Sequence, residues 1–194
     1  KFSSVKGARD SKTLLYFGRL SKNKGLHELI EAFSLVCKKN AKAKLVIAGK
    51  DFDGLLPSLK KKVKALGIEG RILFKGEVTN KQLLNLMGQA GTFVSASQYE
   101  GFGISAIEAM AAGLVPVLNK IDSFKKFVKP GQNGFLADFS NKEEAAKQME
   151  LALKLGAAER KRLVTNAKKF ASGFDWEAKA KDHLKIYSQC GVFA

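Results

Sequence analysis

A chain of 194 residues, 45% of them apolar, has the length of one ordinary domain and enough hydrophobic surface to bury a sizeable core. Lys and Arg outnumber Asp and Glu by 34 to 18, and a net charge of +16 attracts polyanions such as nucleic acid, an anionic membrane or phosphate-bearing substrates without choosing among them. No run resembles a signal peptide or a membrane span, and Cys37 and Cys190 lie too far apart for a zinc site or a disulfide scaffold, so a reducing, cytoplasmic setting fits.

The chain opens on KFSSVKGARDSK, polar and without Met, as an excised or processed piece would. Short apolar or β-branched runs then alternate with longer stretches of helical period, the pattern of βα units on a parallel sheet. TLLYFG (13 to 18) predicts a first strand. Residues 25 to 39 predict a helix with Leu26, Leu29, Ile30, Phe33 and Val36 on one stripe, and KLVIAG (44 to 49) a second strand. A helix over about 55 to 67 ends at Gly67, a residue suited to left-handed backbone; Leu59, Val63 and Leu66 form its apolar face and lysines its solvated remainder.

RILFKG (71 to 76) is the third expected strand, Thr79 caps a helix reaching about Ala90, and TFVSAS (92 to 97) is the fourth strand. The glycine-rich EGFG leads into a helix over 104 to 112, and LVPVLN (114 to 119) follows as the fifth strand. After KPGQNGF, GFLA (134 to 137) is short enough for an edge strand. Helices follow at about 142 to 155, 157 to 171 and 175 to 189, with breaks near Ser140, Gly156 and Asp175; the last places Trp176, Ala180, Leu184 and Tyr187 on one face. The order predicts a single α/β domain over residues 1–194: a three-layer, Rossmann-like parallel sheet of about six strands with helices on both faces.

Ligands of an open parallel sheet bind beyond the carboxyl ends of its strands, which directs attention to two loops. Gly18 to Gly25 leaves the first strand with Arg19 and Lys24; Tyr99 to Ile104 leaves the fourth with Glu100, Gly101, Phe102 and Gly103, and each enters a helix. A guanidinium, an ammonium and the unpaired N–H groups of a helix start are what a diphosphate requires, and Gly101 and Gly103 let backbone approach it. Glu108, eight positions after Glu100, can reach back to accept two hydrogen bonds from vicinal hydroxyls such as a ribose diol. Spacing alone equally allows a capping Glu100 and a surface Glu108. His27 and His183 stand alone in helical stretches and read as packing or solvated residues. Gly18 to Gly25 is not G-x-G-x-x-G, which argues against a nicotinamide or flavin dinucleotide.

These residues resemble a known family, the retaining glycosyltransferases of family 4, whose fold is GT-B. The resemblance rests on G-R-L-x-x-x-K-G at Gly18 to Gly25, on E-G-F-G-I-S-A-I-E at Glu100 to Glu108 (the family's E-x7-E), on G-x-I-L-F-K-G at 70 to 76 and on P-G-Q-N-G-F-L at 130 to 136. It implies the C-terminal, donor-binding half of a GT-B enzyme, with the N-terminal acceptor domain absent from the chain. It also implies that Arg19 and Lys24 bind the donor diphosphate and stabilise its charge as the glycosidic bond breaks, with no metal or other cofactor. By the same resemblance Glu108 holds the ribose hydroxyls, and Glu100 touches sugar hydroxyls near the anomeric carbon. The phosphate site gains Gly18 and the backbone N–H groups of Phe102, Gly103 and Ile104, and the main chain at Ile72 and Leu73 holds the base.

The implied partners are a nucleotide sugar and the missing domain, with a glycan or lipid-linked acceptor in surface polysaccharide or lipopolysaccharide synthesis; nucleic acid is not among them, and the basic charge leaves peripheral contact with an anionic membrane as a lesser reading beside solvated helix faces. Glu100 as a double-displacement nucleophile stays open beside front-face attack. Two segments depart from the family's pattern. Asn119 to Lys126 stands where members carry glycines and a Glu, and Gly49 to Gly54 contains a D-x-D at Asp51 and Asp53. Glycosyltransferases of another fold hold a metal with such a pair; here the two read as loop and helix-cap residues. A non-catalytic basic module for nucleic acid or an anionic membrane is the alternative function, though aromatic residues are sparse among the basic stretches. A sugar-nucleotide epimerase is disfavoured by the E-x7-E pair.

Overall fold

Successive side chains alternate across a strand, and in β1 (Asp10–Phe17) that alternation divides the core in two: Leu14 and Tyr16 join one layer, Leu15 and Phe17 the other. The computed structural model describes residues 2–5, 7, 9–174, 184–186 and 188. With β2 (Lys44–Ala48), β3 (Ile72–Gly76), β4 (Ala90–Ser95), β5 (Val115–Asn119) and β6 (Phe135–Ala137), β1 forms a six-stranded sheet in the order β3-β2-β1-β4-β5-β6. Every neighbouring pair is parallel.

Helices cover both faces, as the order of elements predicts. On the Leu14 and Tyr16 face lie α1 (Leu26–Lys39), α2 (Leu56–Ala65) and α6 (Lys142–Lys154). On the Leu15 and Phe17 face lie α3 (Asn80–Gln89), α4 (Ile104–Ala112) and the short α5 (Asp122–Lys125). The last described long helix, α7 (Ala157–Ser172), gives Leu163 to the first layer and Ala167 and Ala171 to the second. The expected stripe of α1 is buried throughout, each large apolar side chain contributing about 1.5–3 kcal/mol. A capping box starts α3: Thr79 Oγ1 accepts from Gln82 N–H and Gln82 Oε1 from Thr79 N–H.

Boundaries differ from expectation at several element ends. Helix α6 starts on Asn141, whose Oδ1 accepts from Glu144 N–H at 3.0 Å, one residue past Ser140. β4 begins at Ala90, which also ends α3, so helix passes to strand without a loop. Leu66 is the residue after α2 and is 39% exposed; the helix stops before the stripe of Leu59 and Val63 reaches it. Gly67 does take the left-handed conformation, φ 65°. The expected helix at 175 to 189 falls for the most part outside the described residues, as do Asp175, Trp176, Ala180, His183, Tyr187 and Cys190. Among the described residues no helix is long and apolar enough to cross a membrane.

Candidate active site

In this strand order β1 and β4 are neighbours, while the strands after each run outward in opposite directions, so a crevice opens between the loops that leave them. A cavity of about 360 Å³ occupies it, walled by Tyr16 to Arg19 and Lys24 from the first loop, by Ser95 and Ser97, and by Glu100 to Ser105. Both loops singled out in the sequence therefore meet at one place.

They are tied directly to each other. Gln98 N–H donates to the Asn23 carbonyl at 2.8 Å, and Asn23 Nδ2 reaches the Tyr99 carbonyl at 3.4 Å. Lys22 to Lys24 form one 3₁₀ turn that closes on Gly25 in left-handed backbone, φ 61°. A Cβ at Gly25 would stand 2.3 Å from the Ala96 carbonyl oxygen, so any other residue would push the loops apart. At the second loop Gly103, φ 88°, has the Phe124 ring beneath it, 2.5 Å from where a Cβ would be. No side chain caps α1 or α4, in contrast to α3 and α6, and Gly103 and Ile104 at the start of α4 line the cavity. That end presents unpaired N–H groups and the positive pole of the helix to whatever anion enters.

Lys24 and Glu100, 76 residues apart, form an ion pair: Nζ donates to Oε1 at 2.7 Å, with side chains 14% and 15% exposed. A charge-assisted bond this sheltered fixes both rotamers and keeps either charge from being stranded. Arg19 is exposed at the cavity rim, and its backbone is held from below, the Tyr16 hydroxyl donating to the Arg19 carbonyl at 2.8 Å. Burial pushes the Tyr16 phenol well above the usual tyrosine range; the Glu100 charge adds to the rise and Arg19 opposes it. On the cavity floor the buried hydroxyls of Ser95 and Ser97 hydrogen-bond each other at 3.0 Å, and Asn119 Nδ2 donates to the Ser97 carbonyl at 3.1 Å.

Arg19, Lys24, Glu100, Gly18, Phe102, Gly103 and Ile104 all line this cavity. Glu108 does not: half-buried, it stands one helical turn beyond Ile104 on the same face of α4. Ile72 and Leu73 are displaced further. Their register with Leu45 and Val46 puts them at the amino end of β3, about 10 to 13 Å of strand below its carboxyl end at Gly76. They stand apart from the cavity, whereas the loops that line it leave the carboxyl ends of the strands. The D-x-D carboxylates accept from backbone donors, as the cap reading expects: Asp51 from Leu55 and Leu56 N–H at 2.7 and 3.0 Å, Asp53 from Lys22 N–H at 2.8 Å.

Sequence reading missed Tyr16, Ser95, Ser97 and Asn119, which carry no motif of their own. It also missed the rings under the second loop. Phe102 lies 5.1 Å from Phe174 and 6.3 Å from Phe127, which stacks on Phe170 at 5.5 Å and meets Phe124 edge-on at 5.9 Å. The one signal in the sequence was the recurrence of Phe at 124, 127, 170 and 174.

A doubly wound parallel sheet with cations and an uncapped helix start at its switch point has the layout of a nucleotide- or phosphate-binding domain. The chain belongs to the glycosyl transferases group 1 family, whose model matches residues 1–170. A GDP-mannose:cellobiosyl-diphosphopolyprenol alpha-mannosyltransferase of Xanthomonas oryzae pv. oryzae (strain PXO99A) is 34% identical over 180 residues, 91% of this chain and 47% of that protein. The fold is shared with Anabaena HepE, crystallised with UDP and glucose, at TM-score 0.82 and 24% identity over 96% of this chain and 49% of that one. It is also shared with the C-terminal domain of LpcC, a glycosyl transferase group 1 family protein of Francisella tularensis, at TM-score 0.77 and 23% identity over 89% of this chain and 96% of that one. The chain spans about half the length of the curated relatives it matches, 45% to 48% of the mannosyltransferases.

Proposed function

We propose that this chain is the donor-binding domain of a retaining, family 4 glycosyltransferase that moves a sugar from a nucleoside-diphosphate sugar to a glycan or lipid-linked acceptor. The observation that carries the reading is the convergence of Arg19, Lys24, Glu100 and the start of α4 on one cavity at the β1 and β4 switch point. In transfer, the bond between the anomeric carbon and the diphosphate oxygen breaks and its electron pair stays on that oxygen. Arg19, Lys24 and the helix start face the growing negative charge and stabilise it more than the ground state, so no metal is required. The acceptor hydroxyl forms the new bond on the same face of the sugar and gives up its proton to the departing phosphate. Glu100 Oε1 is held by Lys24, and in this reading Oε2 accepts from a sugar hydroxyl. The setting is cytoplasmic, beside the membrane that carries a lipid-linked acceptor of surface polysaccharide synthesis. The Xanthomonas relative, named for GDP-mannose and a diphosphopolyprenol acceptor, supports this choice and makes GDP the first ligand to try.

Isothermal titration of the chain with GDP, UDP and ADP and their sugars tests the site. Binding of at least one is expected, and Lys24→Ala should weaken it about tenfold, the worth of one hydrogen bond to a charged group at about 1.5 kcal/mol. Absence of binding by all of them sinks the donor site.

A further inference from the structure

The loop after β2, Lys50 to Gly54, lies alongside the loop that carries Arg19. Leu20 N–H donates to the Lys50 carbonyl at 2.8 Å, Phe52 N–H to the Leu20 carbonyl at 3.0 Å, and Lys22 N–H to Asp53 Oδ2 at 2.8 Å. Asp51 fixes the other side of the segment to the start of α2 through the Leu55 and Leu56 N–H groups. So anchored at both ends, the loop holds Phe52 outward, its side chain 61% exposed, with Arg19 Cζ 5.1 Å from the ring centroid.

The two cations of the cavity are thus held by different chemistry. Lys24 is held by a carboxylate, which takes one of its three N–H donors. Arg19 has no acidic partner among the described residues; its backbone rests on Tyr16 and its guanidinium on a ring. A guanidinium within about 6 Å of an aromatic centroid is attracted by the ring quadrupole, and its N–H donors remain directed at other partners. A carboxylate in the same place would compete with an incoming phosphate for those donors; an aromatic face does not.

We propose that Phe52 is a positioning residue that holds the Arg19 guanidinium at the rim of the cavity, ordered but un-neutralised, for the diphosphate of the donor. The inference rests on the donor-site reading above. It also accounts for the D-x-D segment, in which Asp51 and Asp53 clamp the loop and the residue between them is the platform.

The test is a double-mutant cycle read by titration of the chain with GDP and UDP, with unfolding midpoints of every variant. Phe52→Ala should weaken nucleotide binding by about two- to fivefold, the worth of an exposed cation–π contact. Phe52→Trp should restore binding, and Phe52→Leu, apolar but without a π face, should behave as alanine does. In the Arg19→Ala background Phe52→Ala should change nothing further, and all midpoints should stay together because the ring is exposed. If Arg19→Ala weakens binding while Phe52→Ala does not, or the two effects add in full, the platform is wrong although the donor site stands. If the unsubstituted chain binds neither nucleotide, or Arg19→Ala leaves affinity unchanged, the donor-site reading has failed and takes this inference with it.

Discussion

Tyr16, one residue before the end of the first strand, has its ring packed in the Leu14 layer and its hydroxyl donating to the Arg19 carbonyl. Because burial and the Glu100 charge raise its pKa, the folded protein prefers the neutral phenol more strongly than the unfolded chain does. A raised folded pKa gives stability that is complete below the unfolded value, about 10 for tyrosine, and is lost as pH climbs past it. Urea unfolding followed from neutral to strongly alkaline pH should therefore show wild-type stability falling above about pH 10. Tyr16→Phe should start about 1 kcal/mol lower, for the missing hydrogen bond, and decline less steeply. Parallel declines in the two proteins would remove Tyr16 as the cause.

At the scale of elements, the second loop is only as rigid as the rings beneath it. Phe102 touches Phe127 and Phe174, and Phe127 also touches Phe124 and Phe170, which ties the start of α4 to α5 and to the end of α7. Phe127 is nearly fully buried, so Phe127→Ala should cost about 3–5 kcal/mol in chemical denaturation. It should also speed amide exchange at Gly101 to Ile104 beyond the general loss of stability; unchanged relative protection there would show that the rings do not hold the loop. This ring cluster was not legible in the sequence. DSFK makes a single turn, too short for helical period to register, and Phe127 and Phe170, far apart in the chain, meet only through the fold. The strands and α1 were legible because two-residue alternation and a five-residue apolar stripe persist over long windows and glycines mark their ends. Arg19 and Lys24 were legible as charges in a strand-end loop, but the Lys24 pairing with Glu100 is a contact across 76 residues. The distance of Ile72 and Leu73 from the cavity was not legible, because a motif fixes sequence position and leaves open which end of the strand a residue occupies.

For the whole molecule, the question is whether a charge of +16 serves one ligand or many. Exposed cations lie on helices of both faces: Lys60, Lys61 and Lys64 on α2 and Lys147 and Lys154 on α6 on one, Lys81 on α3 and Lys125 on α5 on the other, with Lys161, Arg162 and Lys169 on α7. A charge shell distributed this way raises the general positive field without building the single stripe that tracks a phosphodiester backbone. A nucleoside diphosphate should feel that field and be gripped locally, so its affinity should fall moderately with salt as the Debye length shrinks from about 10 Å at 0.1 M. Duplex DNA should bind only in the nonspecific range, about 10⁻⁴ to 10⁻⁶ M at physiological salt, with a steeper salt dependence. It should also leave GDP or UDP in place, because its phosphates are held outside the cavity between β1 and β4. Competition titration measures this directly: bound labelled nucleotide is challenged with DNA over a range of salt. Displacement by nanomolar DNA at physiological salt would make the basic surface the function and return the chain to the class of non-catalytic nucleic-acid modules.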